Sequence, residues 1–143
     1  MTATATIAEN LKTRVTSSFA ATGFVAGATP EQIAAGRSIP PGRSIPPGLT
    51  PPCVLILAGD GAVEDSTLTR RQRFQLVLID LLKGRGDARA VSAWTQFDTL
   101  QALFPQDGVE VGGTVFLPES FRVREGADNR AAACLTVAAV TPA

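Results

Sequence analysis

Apolar residues recur at every fourth position near the start of the chain. They are Ile7, Leu11, Val15 and Phe19. Spacing of this kind places side chains along one face of an α-helix. Thr6 followed by Glu9 fits a capping box at the start of a helix, and Gly23 is a plausible helix stop. The pattern therefore predicts an amphipathic helix over about residues 6–20.

A second helix start and a proline-rich repeat follow. Thr29 before Pro30 is a helix cap with proline at the first helical position, and it predicts one short turn of helix. The six residues GRSIPP then occur twice in succession within residues 36–52. Because each Pro-Pro pair excludes helix, we predict an extended surface loop or arm.

The arm is predicted to contact a neighbouring subunit or partner ring. Ile39 and Ile45 would be apolar anchors, one in each copy of the repeat, and Arg37 and Arg43 could reach acidic groups on the partner. The alternative is a duplicated loop that makes no contacts, since loops tolerate added length at small entropic cost.

Two strands are predicted after the repeat. The unbroken apolar run 53–58 lies between Pro-Pro and Gly59, which indicates a buried strand. Residues 59–71 are predicted to form a polar connection, and 73–79 the next strand. Strands that are consecutive in the sequence usually pair antiparallel.

The next predicted element is a helix that contributes to the core. Asp87 is a suitable cap, and the helix should end before Pro105. Its predicted buried face comprises Ala90, Ala93, Trp94, Phe97, Leu100, Gln101 and Phe104. We expect Trp94, Phe97 and Phe104 to pack with Leu11 and Val15 of the first helix. The sheet face beneath them is predicted to carry Phe74, Leu76 and Leu78.

The remaining sequence is β-like and completes the fold prediction. Residues 109–117 hold short β-prone pieces, 121–125 alternate in polarity, 126–129 suit a turn, and 131–140 suit a final strand. The fold class is α+β: a mostly antiparallel sheet with the N-terminal helix and a second helix on one face, and a long Pro-rich loop. All 143 residues are assigned to a single domain.

The composition limits which catalytic or metal-binding sites the chain can form. The 13 basic residues balance the 13 acidic ones, and the chain contains no histidine and no tyrosine. No pair of carboxylates suggests acid–base catalysis, and the acidic loop after Ala58 lacks the spacing of a phosphate or calcium site. We therefore predict no catalytic residue, no cofactor and no metal. There is no apolar run long enough for a membrane span and no secretory signal, so we expect the protein to remain in a cytosol.

Two further groups of residues carry predictions. Cys53 and Cys134 are expected to be reduced and buried, although a disulfide is possible if their strands are neighbours. Arg70, Arg71 and Arg73 form the main basic cluster. They suit a solvated strand edge, a subunit interface or pore lining, or a nucleic-acid contact. We predict that they lie near a subunit boundary or the lumen of a ring.

The element order resembles that of the tail terminator (tail completion) proteins of long-tailed bacteriophages and gene transfer agents. The resemblance is carried by TIAENLKTRV, PPCVLILAGDG, RRQRFQLVLIDLLKGRGDARAVSAWTQF and FRVREGADNRAAACLTVAAV. It implies a non-enzymatic virion protein, assembled in the bacterial cytoplasm. Such a protein forms a hexameric ring between the tail tube protein and a neck protein below the capsid. It implies no membrane and no sequence-specific nucleic acid, with a lumen through which DNA could pass.

Two alternatives stay open at the level of sequence. One is another neck or tail protein, such as a head-completion stopper or a tail tube subunit. The other is a small cytosolic enzyme or ligand-binding α+β domain, which would need a pocket with convergent polar groups.

Overall fold

The computed structural model describes residues 3–35, 50–64, 69–82, 85–124, 126 and 129–142, with the backbone alone for residues 60–64. The helices are α1 (Thr4–Thr16), α2 (Pro30–Ala34) and α3 (Asp87–Ala102). The strands are β1 (Ala21–Phe24), β2 (Cys53–Glu64), β3 (Thr69–Leu81), β4 (Val109–Val111), β5 (Thr114–Arg124) and β6 (Arg130–Pro142).

The strands of this described part form one curled sheet in the order β1-β2-β3-β6-β5-β4. β1 pairs parallel with β2, and every other pairing is antiparallel. The predicted α+β class, with a mostly antiparallel sheet, is therefore confirmed. β3 and β6 form the centre of the sheet and pair without interruption from Thr69↔Pro142 to Leu81↔Arg130.

Helices cover both faces of the sheet. α1 and α3 share one apolar cluster with Phe74, Leu76 and Leu78 of β3, as the sequence predicted. α2 contributes Ile33 to a second cluster on the opposite face, with Val77 and Ile79. The two clusters follow from the alternation of side chains along β3, which is apolar on both faces.

The first helix begins and ends earlier than predicted. Its N-cap is Ala3, and no side chain caps it, so the predicted capping box at Thr6 is wrong. Ile7, Leu11 and Val15 are fully buried, as expected. The helix stops at Thr16. The Thr16 and Ser17 hydroxyls donate hydrogen bonds to backbone carbonyl oxygens of its last turns, and side-chain bonds of this kind compete with the helical backbone.

A short strand that the sequence analysis did not predict follows α1. The predicted helix stop, Gly23, lies inside β1 and is buried. Phe19, which was assigned to α1, lies between the two elements and is still buried. At four residues, β1 is too short to show a clear alternation of polarity.

The second strand is longer than predicted, because a bulge replaces the expected turn. The β2–β3 register shifts between Ala58 and Gly61, after which pairing continues to Glu64↔Thr69. A Cβ at Gly59 would lie 3.3 Å from the carbonyl oxygen of Arg73. Glycine within a strand often marks such a bulge or close backbone approach, so here it interrupts the sequence pattern without ending the strand.

The start of α2 matches the prediction, whereas that of α3 does not. The Thr29 hydroxyl accepts a hydrogen bond from Gln32 N, and the Gln32 side chain accepts one from Thr29 N, which completes a capping box. α3 has Gly86 as its N-cap, with φ of 59°, and Asp87 is the first helical residue rather than the cap. A positive φ suits glycine, which has no Cβ.

Three contacts fix how α3 lies along β5. The Phe104 and Phe116 ring centroids are 6.4 Å apart, and those of Phe97 and Phe121 are 5.9 Å apart. At the other end of the helix, Arg89 donates a 2.6 Å hydrogen bond to the side chain of Asn129. α3 therefore runs antiparallel to β5.

Candidate interaction surfaces

The predicted arm residues, Arg37, Ile39, Arg43 and Ile45, lie outside the described residues. Their proposed contact with a neighbouring subunit stays a prediction. The described chain stops at Ala35, directly after α2, and resumes at Thr50, three residues before β2.

Arg70 contacts the first helix. It lies on the face of β3 covered by α1, and its guanidinium donates hydrogen bonds to the Thr4 hydroxyl and, at 3.3 Å, to Gln72 Oε1. The Gln72 side chain in turn donates to the carbonyl oxygen of Gly59. This chain of contacts joins the start of α1 to the β2 bulge, so Arg70 has a structural role within the subunit.

Arg71 and Arg73 lie together on the opposite face of the sheet. Arg73 Nε is 3.1 Å from Glu119 Oε1, and an Arg71 terminal nitrogen is 3.8 Å from the same oxygen. The side chain of Arg73 remains 50% exposed. Because two guanidinium groups share one carboxylate, the described side chains of this surface carry a net positive charge. The predicted basic cluster is thus divided between the two faces of the sheet.

Trp94 is not a core residue, and that prediction is wrong. The residue is 58% exposed, whereas Ala93, Phe97 and Leu100 of the same helix are buried. Successive residues of a helix are rotated by about 100°, so Trp94 lies about 60° around the axis from Phe97. Phe121 packs against the Phe97 ring. Phe97 and Phe121 therefore fill this part of the core, and the Trp94 indole lies on the exposed side of α3.

Trp94 belongs to an exposed line of residues that we call the α3 stripe: Asp87, Val91, Trp94 and Asp98. Spacings of four, three and four residues bring these positions within about 60° of one another around the helix. Val91 is 53% exposed. The same spacing is visible in the sequence, but Trp94 was grouped there with the apolar positions beside it.

Val123 on β5 extends this apolar surface. It is 67% exposed and lies two residues after Phe121, hence on the same face of the strand. Arg89 and Phe97 both contact the β5–β6 hairpin, and residues 90–96 of α3 lie between these two contacts. Trp94 and Val123 therefore both lie between these two contacts along their own segments of the chain.

A second surface feature lies on the outer side of α1. Side chains of the helix and of the residue after it line a shallow depression of about 440 Å³: Glu9, Lys12, Thr13, Thr16 and Ser17. Lys12 Nζ lies 5.1 Å from the centroid of the Phe24 ring, a cation–π geometry. Phe24 is 37% exposed on β1, the edge strand beside α1. This surface combines a positive charge, an exposed aromatic ring and a concave shape.

The two cysteines are free and buried, as predicted. Their strands are not neighbours, because β3 lies between β2 and β6. Burial raises the pKa of both thiols, and the nearby charges of Arg130 at Cys53 and Arg124 at Cys134 offset part of this effect. A buried thiol with a raised pKa is a poor nucleophile near neutral pH.

Within the described ranges, no group of three or more histidine, cysteine or acidic side chains is placed to hold a metal ion. In the same part of the chain, no helix has the length and apolar character needed to cross a membrane.

A scan against protein-family models found no match to this chain, and a search of curated protein sequences found no significant match. A functional assignment therefore depends on the element order and on the surfaces described above.

Proposed function

We propose that the protein is a structural virion component, a tail terminator that caps the tail tube as a hexameric ring and joins it to the neck. The observation that carries this proposal is the order of elements along the chain. α1 comes first, the proline-rich segment separates α2 from β2, β2 pairs with β3, α3 follows, and the β5–β6 hairpin closes the sheet. This is the order that the resemblance implies. Because one fold can serve many functions, the surfaces must also suit the role.

The architecture suits a ring subunit physically. The central strands β3 and β6 are both thirteen residues long and pair over their full length, so they form a stiff platform. A ring requires two different surfaces on each subunit, which meet head to tail and close on themselves. The exposed apolar flank of α3 and the outer side of α1 are two such surfaces.

The excess positive charge at Arg71 and Arg73 has a place in this proposal. In a ring that DNA traverses, a modest positive charge at the lumen or at a subunit boundary would face phosphate or acidic groups without recognising sequence. The arm residues Arg37 and Arg43 would supply further charge toward a neighbouring subunit or partner ring.

The proposal is tested with tail tubes assembled from a purified tail tube protein, the partner that the proposal requires. A terminator that caps a tube end blocks further addition of subunits, so tubes grown with the protein should be shorter and should bear the protein at one end. Electron microscopy of tubes grown with and without it measures both effects. If tube lengths are unchanged and no end is decorated, the terminator proposal is wrong.

The same experiment separates the alternatives. A tube subunit would polymerise by itself into tubes. A head-completion stopper would bind the capsid portal complex and leave bare tube ends uncapped. A small enzyme or ligand-binding domain would bind neither structure.

A further inference from the structure

The exposed apolar residues of α3 and β5 have the features of a protein interface. Trp94, Val91 and Val123 are each more than half exposed. Trp94 lies three residues before Phe97 on α3, Val123 lies two residues after Phe121 on β5, and the rings of Phe97 and Phe121 are in contact. Large apolar residues that cluster at a surface mark interaction sites far more often than scattered ones do. Tryptophan is also among the residues that dominate binding energy at interfaces. The α3 stripe with Val123 therefore has the composition of the centre of an interface.

The charges around this surface are unfavourable for a symmetric contact between the α3 stripes of two copies. Asp87 and Asp98 lie at the two ends of the α3 stripe, and both are exposed. Two such stripes in symmetric contact would bring carboxylates toward carboxylates, which is unfavourable. The surface that covers the stripe should instead offer a cation and room for an indole.

The outer side of α1 offers both. Lys12 makes no ion pair with any described residue and lies over the partly exposed Phe24 ring, next to the depression on α1. Asp98 likewise makes no ion pair within the described part of the chain. An indole placed in the depression would contact the Lys12 side chain. Asp98, one helical turn from Trp94, would bring a second carboxylate toward the Lys12 ammonium group, beside Glu9 of the depression itself.

We propose that the α3 stripe and Val123 of one copy dock head to tail onto Lys12, Phe24 and the α1 depression of a second copy. The two surfaces share no residue, since one is formed by α3 and β5 and the other by α1 and β1. One copy can therefore engage two neighbours at once, as a head-to-tail contact requires. Closure of this contact into a six-membered ring rests on the proposed function, whereas the contact itself does not.

The first test uses single substitutions, with self-association followed by light scattering and by native mass spectrometry. Trp94→Ala should raise the dissociation constant of self-association by about 30-fold or more, as expected for an interface hot spot. Lys12→Gln should raise it by about 2- to 5-fold. Glu9→Gln is the matched control in the same depression: it removes a carboxylate near the incoming aspartate and should not weaken association. Circular dichroism checks that each variant is folded.

The second test exploits charge reversal. Asp98→Lys and Lys12→Asp should each weaken association, because each places like charges across every contact. A one-to-one mixture of the two variants should restore association, because alternating copies then place opposite charges at every contact. The fluorescence of Trp94, the only tryptophan, should shift toward that of a buried indole as the wild-type protein assembles.

The outcomes distinguish this contact from the function proposed above. If the wild-type protein forms rings or caps tubes but Trp94→Ala and the charge variants assemble normally, the contact is wrong and the terminator proposal stands. If a closed oligomer forms through Trp94 but does not bind tubes, the contact stands and the terminator proposal is wrong. A protein that stays monomeric at high concentration and in the presence of tubes would overturn both.

Discussion

Two aromatic residues three positions apart on α3 should respond very differently to truncation. Phe97 is 5% exposed and packs edge-on against Phe121, whereas Trp94 is 58% exposed. Replacing a buried phenylalanine with alanine costs about 3–5 kcal/mol of unfolding free energy, through lost transfer energy and the cavity that remains. We therefore expect Phe97→Ala to destabilise the protein by about 4 kcal/mol.

The same reasoning gives a much smaller effect at Trp94. Only about two-fifths of its surface is covered, which corresponds to roughly 60 Å² beyond what alanine would bury, or about 1.5 kcal/mol at 25 cal/mol per Å². This value is an upper bound, since the unfolded chain already covers part of that surface. In thermal terms, Phe97→Ala should lower Tm by about 12 °C and Trp94→Ala by about 4 °C or less.

The assay is urea unfolding followed by far-ultraviolet circular dichroism, because Trp94→Ala removes the only tryptophan signal. Measurements at low protein concentration keep self-association from adding to the apparent stability of the parent. If Trp94→Ala destabilised the monomer as much as Phe97→Ala does, the orientation assigned to α3 would be wrong. An unchanged midpoint for Phe97→Ala would contradict its place in the core.

The helix cap at Thr29, the buried thiols and the Arg73 ion pair can each be tested by one measurement. Thr29→Ala should lose about 1 kcal/mol of stability because it removes the α2 cap, whereas Thr6→Ala, inside α1, should lose almost none; equal losses in urea unfolding would refute the capping assignment. Cys53 and Cys134 should resist a thiol reagent until the protein unfolds. The pKa values of both thiols are raised in the folded state. The stability that they contribute is therefore complete below the ordinary thiol pKa of 9.0 and falls as pH rises through the folded values. Unfolding midpoints that stay constant above pH 9.0 would contradict this linkage. Arg73→Gln should change stability by less than about 1 kcal/mol, since its ion pair is half exposed, but should weaken capping of tail tubes; normal capping would remove the arginine from the interface.

The elements with strong local patterns were predictable from the sequence. The period of Ile7, Leu11 and Val15 predicted α1, the Thr29 cap followed by proline predicted the start of α2, and apolar runs predicted the strands β2, β3 and β6. Each of these signals arises within a few neighbouring residues, so it does not depend on the rest of the fold.

The features that were missed depend on contacts distant in sequence. β2 continues past Gly59 because β3 pairs with it across a bulge, which the glycine-rich sequence alone presents as a turn. Trp94 is exposed because Phe121, 27 positions from it in the sequence, lies against Phe97 on the core side of α3. Helical periodicity identifies the positions near a face, but the neighbouring strand decides which of them are covered.

The same limit applies to the candidate surfaces. The residues of the α3 stripe were all visible in the sequence, but its exposure and its nearness to Val123 require the packing of α3 on β5. The basic cluster was recognised as a group, although the alternation of β3 sends Arg70 to one face and Arg71 and Arg73 to the other.

The central claim is that the protein forms a ring on the end of a tail tube. Cryo-electron microscopy of tubes assembled with the purified protein tests it most directly, because it gives the number of copies, their position and the residues at their contacts. We predict six copies in one closed ring at one end of each tube, with Trp94 of each copy against α1 of its neighbour. Tubes with bare ends, or single copies bound at scattered positions along their length, would contradict it.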